Sequence, residues 1–273
     1  MDMLARLERK LAEVQRWADS VLGFGDVPAA LALAFFRTRP ADGESVFARL
    51  TRRLVPEIWI RPASLNGWAI RIQPSDLSQF VIYEEVFIQK VYDLSRVGFD
   101  PDCVIDCGAF QGYFSLLAAA HFHQPALAFE PNAANYAALI ANVRRNGAPI
   151  EARPAAVSTR DGAATFAGGG CGGRLSDDGD AVRVPVEDLR RIIRERRCER
   201  LLLKLDIEGE EAQLLPVLLP DLPHRTAIFF EWHQGRSSFD QVCDVLSHHG
   251  FSTVETRANL ADGALYIDAF AQR

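Results

Sequence analysis

Lys204, Asp206 and Glu208 fall at every second position of Leu201-Leu-Leu-Lys-Leu-Asp-Ile-Glu-Gly-Glu-Glu211. Side chains alternate along a strand, so these three ionisable groups share one side while Leu203, Leu205 and Ile207 share the other. A buried charge without a partner is costly, so Lys204 is expected to pair with Asp206 or with a carboxylate on a neighbouring strand. The same spacing recurs in Ala227-Ile-Phe-Phe-Glu231-Trp-His233, which sets Glu231 and His233 on one side at a strand end. Carboxylates and an imidazole in one crevice suit proton removal, with His233 or Asp206 as the base and Glu231 orienting His233 or the substrate. Oxygen ligands with one imidazole also suit Mg²⁺ or Mn²⁺, which makes Asp206, Glu231 and His233 an alternative metal set, although no metal is expected.

A second constellation precedes these. Asp106-Cys-Gly108-Ala109-Phe110-Gln111-Gly112 closes the apolar run Cys103-Val-Ile and opens the helical stretch Tyr113-Phe-Ser-Leu-Leu-Ala-Ala-Ala; Phe129-Glu130-Pro131-Asn132 ends the next apolar run. A glycine turn into a helix, followed by an acid at the next strand end, is how α/β sheets hold an adenosine cofactor. In a dinucleotide fingerprint the second glycine lets the backbone approach a pyrophosphate, and here that position is Phe110. The turn therefore suits a nucleoside without phosphates, with S-adenosylmethionine the obvious candidate. Gly108 and Gly112 permit the tight turn beside its methionine portion. Asp106 is expected to orient the loop or to receive the cofactor amino group through a water, and Glu130 to accept both ribose hydroxyls. Ala109, Pro131, Asn132 and Asp206 complete the expected cofactor site.

These residues need a scaffold of alternating strands and helices. Strands are expected near 103–107, 126–130, 150–157, 200–206, 226–232, 251–256 and 264–270, with helices near 111–121, 133–146, 187–197, 209–219 and 237–249. Such alternation implies a mostly parallel sheet with helices on both faces. The last two strands, joined at Asp262-Gly263, should form an antiparallel hairpin at its edge, which is the class I methyltransferase architecture in an α/β, Rossmann-like fold. Residues 1–98 read as a helical and hairpin extension, and 99–273 as the cofactor-binding domain. Leu4, Leu7, Leu11, Val14, Trp17, Val21 and Leu22 make one helical stripe, a fair site for homodimerisation. Further helices are expected after Val27-Pro28 and over 45–54, a hairpin around Asn66-Gly67, and a helical pattern over 80–95. The glycine-rich stretch 168–173 suits a linker or a mobile loop over the site.

Composition narrows the partners. A net charge of −6 argues against a nucleic-acid or anionic-membrane partner. The arginine run 190–197 alternates with Ile192 and Ile193 and reads as a solvated helix face. Five cysteines, with no Cys-x-x-Cys pair, fit reduced thiols, and neither a signal peptide nor a membrane-length apolar run is found, so a cytoplasmic location is expected.

Asp106-Cys-Gly-Ala-Phe-Gln-Gly-Tyr-Phe-Ser, Phe129-Glu-Pro-Asn, Ala156-Val-Ser158, Lys204-Leu-Asp-Ile-Glu-Gly-Glu-Glu211 and Glu231-Trp-His233 together resemble the FkbM family of methyltransferases over about residues 100–235. The Lys-x-Asp-x-Glu-Gly-x-Glu block is the most specific part. The resemblance implies S-adenosylmethionine-dependent O-methylation of a hydroxyl on a sugar, polyketide or related natural product. Phe110-Gln111 departs from the family, which usually has a small or amide residue followed by an aliphatic one. In the segment ahead of the turn, Glu84 and Tyr92 resemble the family pattern. Two rivals belong to other classes. A nicotinamide-dependent oxidoreductase shares the strand–glycine–acid pattern but lacks support in Phe110 and the missing third glycine. A non-catalytic binding protein would leave Lys204, Asp206, Glu208, Glu231 and His233 idle.

Overall fold

The apolar runs around Asp106, Lys204 and Glu231 become the middle of one sheet. A computed structural model describes residues 12, 15–21, 57–73, 76–168, 174–175, 182–261 and 264–273. The chain divides into two compact units, Met1–Lys90 and Val91–Arg273.

In the first unit, β1 (Ile58–Ile60) pairs antiparallel with β2 (Ile70–Ile72), with Ile60 opposite Ile70. Asn66 and Gly67 both take positive φ, 51° and 96°, as a hairpin turn would require. They nevertheless sit inside a longer connection that contains a 3₁₀ turn over Ala63–Leu65. α1 (Leu77–Tyr83) starts at Asp76, whose carboxylate accepts the Ser78 amide at 3.0 Å, and runs into a π-helical turn over Glu84–Gln89. Residues 12 and 15–19 are helical, and Trp17 stacks on Tyr83 with ring centroids 4.9 Å apart. The rest of the amphipathic stripe, the expected helices after residue 27 and over 45–54, and residues 169–173 of the glycine-rich stretch lie outside the described residues.

The second unit begins at Val91, ahead of the boundary at 99 drawn from the sequence. Its strands are β3 (Cys103–Cys107), β4 (Ala126–Phe129) and β5 (Ile150–Arg153), then β6 (Ala156–Ser158), β7 (Gly162–Ala167), β8 (Arg174–Leu175) and β9 (Val182–Asp188), and finally β10 (Arg200–Leu205), β11 (Arg225–Trp232), β12 (Ser252–Ala261) and β13 (Ala264–Gln272). Helices α2 (Tyr113–Phe122), α3 (Ala133–Asn146), α4 (Leu189–Arg196), α5 (Glu211–Leu218) and α6 (Arg236–His248) alternate with them. Seven strands form the main sheet in the order β12-β13-β11-β10-β3-β4-β5. The five from β11 to β5 run parallel, while β13 is antiparallel to both β11 and β12. This is the class I methyltransferase sheet, with its antiparallel hairpin at one edge.

The strands read as continuous apolar runs because helices cover both faces. On one face Cys103, Ile105, Cys107, Leu203, Leu205, Ile228 and Phe230 pack with Leu189, Ile192 and Ile193 of α4, Leu214, Leu215 and Leu218 of α5 and Phe239, Val242 and Leu246 of α6. Each fully buried side chain of this kind contributes roughly 1.5–3 kcal/mol. On the other face the rings of Tyr92, Phe114, Phe229 and Phe270 form one cluster, with Tyr92 lying 5.1 Å from Phe114 and 5.8 Å from Phe229.

One expected strand is two. Pro154 has no amide to give the ladder, so the 150–157 run breaks at Arg153 and Ala156–Ser158 joins a second, four-stranded sheet ordered β6-β9-β7-β8. The arginines of α4 are not merely solvated. Arg190 and Arg194 bind Asp221, Arg191 binds Asp161 and Glu195, and Arg196 binds Glu151.

Candidate active site

The glycine turn is built around two buried carboxylates at the carboxyl ends of β3 and β4. Gly108 has φ 77°, and a methyl group placed on it would lie 1.8 Å from the Asp206 carbonyl oxygen. Only a glycine lets this turn pass so close to the chain that leaves β10. Gly112, φ 82°, opens α2 against Leu139. Glu130 is buried and grips the turn from the side: its Oε2 accepts the Phe110 amide at 2.7 Å and its Oε1 the Asn132 amide at 2.8 Å. Burial pushes its carboxyl up to about 7, against the lowering effect of those two amides. Asp106 is wholly buried; its Oδ2 accepts the Ser115 hydroxyl at 2.6 Å, while its Oδ1 has no hydrogen-bond partner. Burial raises its pKa, and Lys204 and Ser115 restrain the rise.

The physical reason for excluding a pyrophosphate differs from the one expected. Phe110 takes a left-handed conformation, φ 51°, and its ring is buried edge-on to Tyr113 instead of standing over the turn. The turn's amides are what a phosphate would need, and four of them are already committed. Gly108 and Ala109 donate to the Phe129 carbonyl, Phe110 to Glu130 and Gly112 to the Ala109 carbonyl. No nest of free N–H groups remains among them.

Lys204 joins this turn to the second constellation. Its ammonium donates to the Gly108 carbonyl at 2.8 Å and lies 3.4 Å from Asp106 Oδ1 and 3.3 Å from Asp206 Oδ2, above the Tyr92 ring. Burial opposes its charge, but Asp206 and Asp106 outweigh it and hold the ammonium above its ordinary pKa. Burial likewise acts to raise Asp206, and Lys204 and then His233 hold it below the usual carboxylate range. Tyr92 reaches the same Asp206 oxygen with its hydroxyl at 3.4 Å.

Beyond Asp206 the chain leaves its strand and turns sharply, with Glu208 at φ 56° and Gly209 at φ 110°. Glu211, fully buried at the start of α5, ties that turn together: Oε1 accepts the Ile207 amide at 2.7 Å and Oε2 the Gly209 amide at 2.9 Å. The same carboxylate stands 3.4 Å from His233 Nδ1. On the other side of the ring, Nε2 faces Glu208 at 3.4 Å and Glu231 at 3.6 Å. Burial disfavours a charged imidazole, yet Glu211, Asp206 and Glu208 raise it to about 9. Glu208 is carried up to about 7 by burial and by Asp206. Across the antiparallel edge Asp268 sits opposite Glu231 and pairs with Arg257, and the Tyr266 ring meets His233 edge-on at 5.2 Å.

A family model described as the methyltransferase FkbM domain matches residues 106–253, which is more than half of the chain and contains every one of these groups except Tyr92, Arg257, Tyr266 and Asp268. The chain belongs to the FkbM methyltransferase family. It is an S-adenosylmethionine-dependent methyltransferase, and the residues present fit that cofactor on structural grounds: a turn that only glycine permits, a pinned Glu130 and a buried Asp106 oxygen that accepts no hydrogen bond. As an FkbM protein it would hold the nucleoside with Glu130 and the glycine turn; the cofactor, when bound, supplies an activated methyl group. No curated protein sequence matches the chain. Among solved structures it is similar to M. jannaschii TYW2 in complex with AdoMet, at 12% identity over 80% of this chain and 85% of that one, TM-score 0.45. It is also similar to a SAM-dependent methyltransferase from Agrobacterium tumefaciens, at 13% identity over 80% and 70% of the two chains, TM-score 0.44. A third is precorrin-6y C5,15-methyltransferase from Geobacter metallireducens, at 13% identity over 68% and 88%, TM-score 0.42.

Of the site residues expected from the FkbM motifs, Lys204, Asp206, Glu231 and His233 meet in one cluster, and Asp106, Gly108, Ala109, Gly112, Glu130, Pro131 and Asn132 in the adjoining turn. Asn132 also caps α3, accepting the Ala134 and Asn135 amides at 2.9 and 3.1 Å. The metal-suited trio is Asp206, Glu208 and His233, whose ligand atoms lie within 4.8 Å of one another; Glu231 stands beside it. Sequence reasoning assigned no role to Ser115, Glu211, Tyr266, Asp268 or Arg257. Glu211 carried a usable signal, a glutamate two positions past the glycine of a charged strand end. Among the described residues no helix is long and apolar enough to cross a membrane.

Proposed function

We propose that this protein transfers the methyl group of S-adenosylmethionine to a hydroxyl of a sugar, polyketide or related natural product. The observation that carries the reading is the continuity between the cofactor turn and the acid–imidazole cluster: Lys204 touches the Gly108 carbonyl on one side and Asp206 on the other. An alcohol hardly ionises near neutral pH, so its proton must leave as the oxygen attacks, and a positioned base is worth typically about 10²–10⁴-fold. Asp206 is the carboxylate that abuts the turn, which makes it the proton acceptor in this reading, oriented by Lys204 and Tyr92. Glu231 and His233 hold the acceptor hydroxyl from the next strand, and Glu211 fixes the ring. Asp206 takes the hydroxyl proton as the oxygen attacks, and the bound cofactor would supply the methyl group, with its sulfur as the leaving atom. Alignment of the three centres contributes roughly 7–11 kcal/mol in well-oriented systems.

The experiment is labelled-methyl transfer to a panel of glycosides and macrolides, each beside its amine counterpart. Methyl ethers are the expected products, and label appearing only on nitrogen or carbon would reject the hydroxyl reading. His233→Gln loosens the hold on the acceptor hydroxyl and is expected to lower turnover about 10²-fold with S-adenosylhomocysteine affinity nearly intact. Unchanged turnover would remove His233 from the chemistry.

A further inference from the structure

Among the described residues, the cluster at the ends of β10 and β11 gathers Asp206, Glu208, Glu211, Glu231 and Asp268 around Lys204, Arg257 and the His233 imidazole. Lys204 is shared between Asp106 and Asp206, and Arg257 is engaged by Asp268. Glu208 and Glu231 face a single imidazole nitrogen, Nε2, at 3.4 and 3.6 Å. His233 itself has a side chain only 9% exposed, and its Nδ1 is buried with no hydrogen-bond partner. Carboxylates gathered this closely call for positive charge among them, which either a proton on His233 or a bound cation supplies.

The way the ring is held favours the cation. Metal-ligating histidines present one nitrogen to the ion and turn the other toward a carboxylate that fixes the ring. Here Nδ1 faces the fully buried Glu211 at 3.4 Å, and Nε2 faces the acidic side. Glu211 is in turn immobilised by the amides of Ile207 and Gly209, the residues that flank Glu208. One carboxylate thus stands behind the ring as its charge partner and holds the turn that aims Glu208, whose backbone is left-handed, φ 56°. A substrate ammonium would satisfy the carboxylates but would gain nothing from a braced imidazole.

We propose that Asp206, Glu208 and His233 form a divalent-cation site of the Mn²⁺ or Mg²⁺ type, with Glu211 as the residue that positions it. Their ligand atoms already lie within 4.8 Å of one another, so small side-chain shifts bring them to coordination distance of about 2.0–2.2 Å. Three protein ligands leave coordination positions for water and for an acceptor hydroxyl beside the cofactor turn. The role of the ion rests on the hydroxyl reading above; its geometry does not.

The test is titration of the chelator-treated, full-length chain with Mn²⁺, following free metal by electron paramagnetic resonance, with thermal unfolding and S-adenosylhomocysteine affinity measured on every variant. One Mn²⁺ per chain is expected. Glu208→Gln and His233→Gln should each weaken it by at least about tenfold, and Glu211→Gln by about 10–100-fold, with cofactor affinity retained. Failure of the unsubstituted chain to bind Mn²⁺ would overturn the proposal, as would undiminished binding by both Glu208→Gln and His233→Gln. The two readings separate cleanly. No Mn²⁺ binding, with methyl ethers still formed in chelator, discards the ion and keeps the hydroxyl; specific Mn²⁺ binding with label only on nitrogen keeps the ion and discards the hydroxyl.

Discussion

The cofactor turn and the acid–imidazole cluster adjoin through Lys204, yet their carboxylates live differently. In the turn, Glu130 and Asp106 accept hydrogen bonds of 2.6 to 2.8 Å from the Phe110 and Asn132 amides and the Ser115 hydroxyl. In the cluster, Asp206, Glu208 and Glu231 sit 3.3 to 3.6 Å from Lys204 or His233. In the first region Glu130 is fixed by backbone amides before any ligand arrives, so binding against it needs little rearrangement. The second gathers charged groups at longer range around Lys204 and His233, with Glu211 holding the adjoining turn through the Ile207 and Gly209 amides. A pinned grip suits an invariant nucleoside, and a charged crevice suits a reacting group that must be stabilised as its charge changes.

Gly108 tests whether the regions are as tightly joined as this contrast implies. Gly108→Ala puts a methyl group against the Asp206 carbonyl at a left-handed position, so neither chain can yield without moving the other. A loss of about 3–5 kcal/mol of stability is expected, with S-adenosylhomocysteine affinity reduced by more than about 100-fold. Thermal unfolding and calorimetry read both quantities. Wild-type values for the variant would mean that the turn has room that the contact denies.

The contrast was partly visible in the chain itself. Period-2 spacing placed Lys204 with Asp206, and Glu231 with His233, because strand alternation follows from backbone geometry alone. Gly108, Gly112 and Glu130 were legible because a turn that close to a second chain tolerates almost no other residue. The role of Phe110 was not: its side chain was expected to block a pyrophosphate, and only the left-handed backbone shows the ring packed edge-on to Tyr113 while its amide is taken by Glu130. Glu208 was recognised as ionisable, but its displacement toward His233 depends on a turn after β10 that alternation cannot describe. Tyr266, Asp268 and Arg257 come from the antiparallel edge, where pairing register decides which side chain faces Glu231. The small sheet of β6 to β9 went unread although Val182, Val184 and Val186 alternate, since Pro154 and Pro185 blur the strand pattern on either side.

Glu130 offers a smaller effect that sharpens the same distinction. Its folded-state pKa of about 7 lies above the ordinary 4.5. Folding therefore favours the protonated form, and the associated stability, present at low pH, is lost as pH rises through about 4.5 to 7. Ribose hydroxyls work in the opposite direction, because they donate to the carboxylate. S-adenosylhomocysteine affinity is expected to strengthen about tenfold between about pH 5.5 and pH 7.5 in the unsubstituted protein, and to stay weak and flat in Glu130→Gln. Calorimetry across that range decides it; a flat profile in the unsubstituted protein would show that the carboxylate is not what grips the sugar.

Asn132 should give the smallest change, and its split readout separates scaffold from grip. Its side-chain oxygen caps α3 by accepting the Ala134 and Asn135 amides, whereas its own amide donates to Glu130. Asn132→Ala removes the first interaction and keeps the second, since every non-proline residue supplies the backbone N–H. Loss of a helix cap of this type costs about 1 kcal/mol, which should appear as a modest fall in Tm. S-adenosylhomocysteine affinity should change by less than about threefold, because Glu130 keeps both of its amide partners. A large loss of affinity at unchanged Tm would instead make the Asn132 side chain a direct cofactor ligand, and the self-sufficiency of the turn would have to be given up.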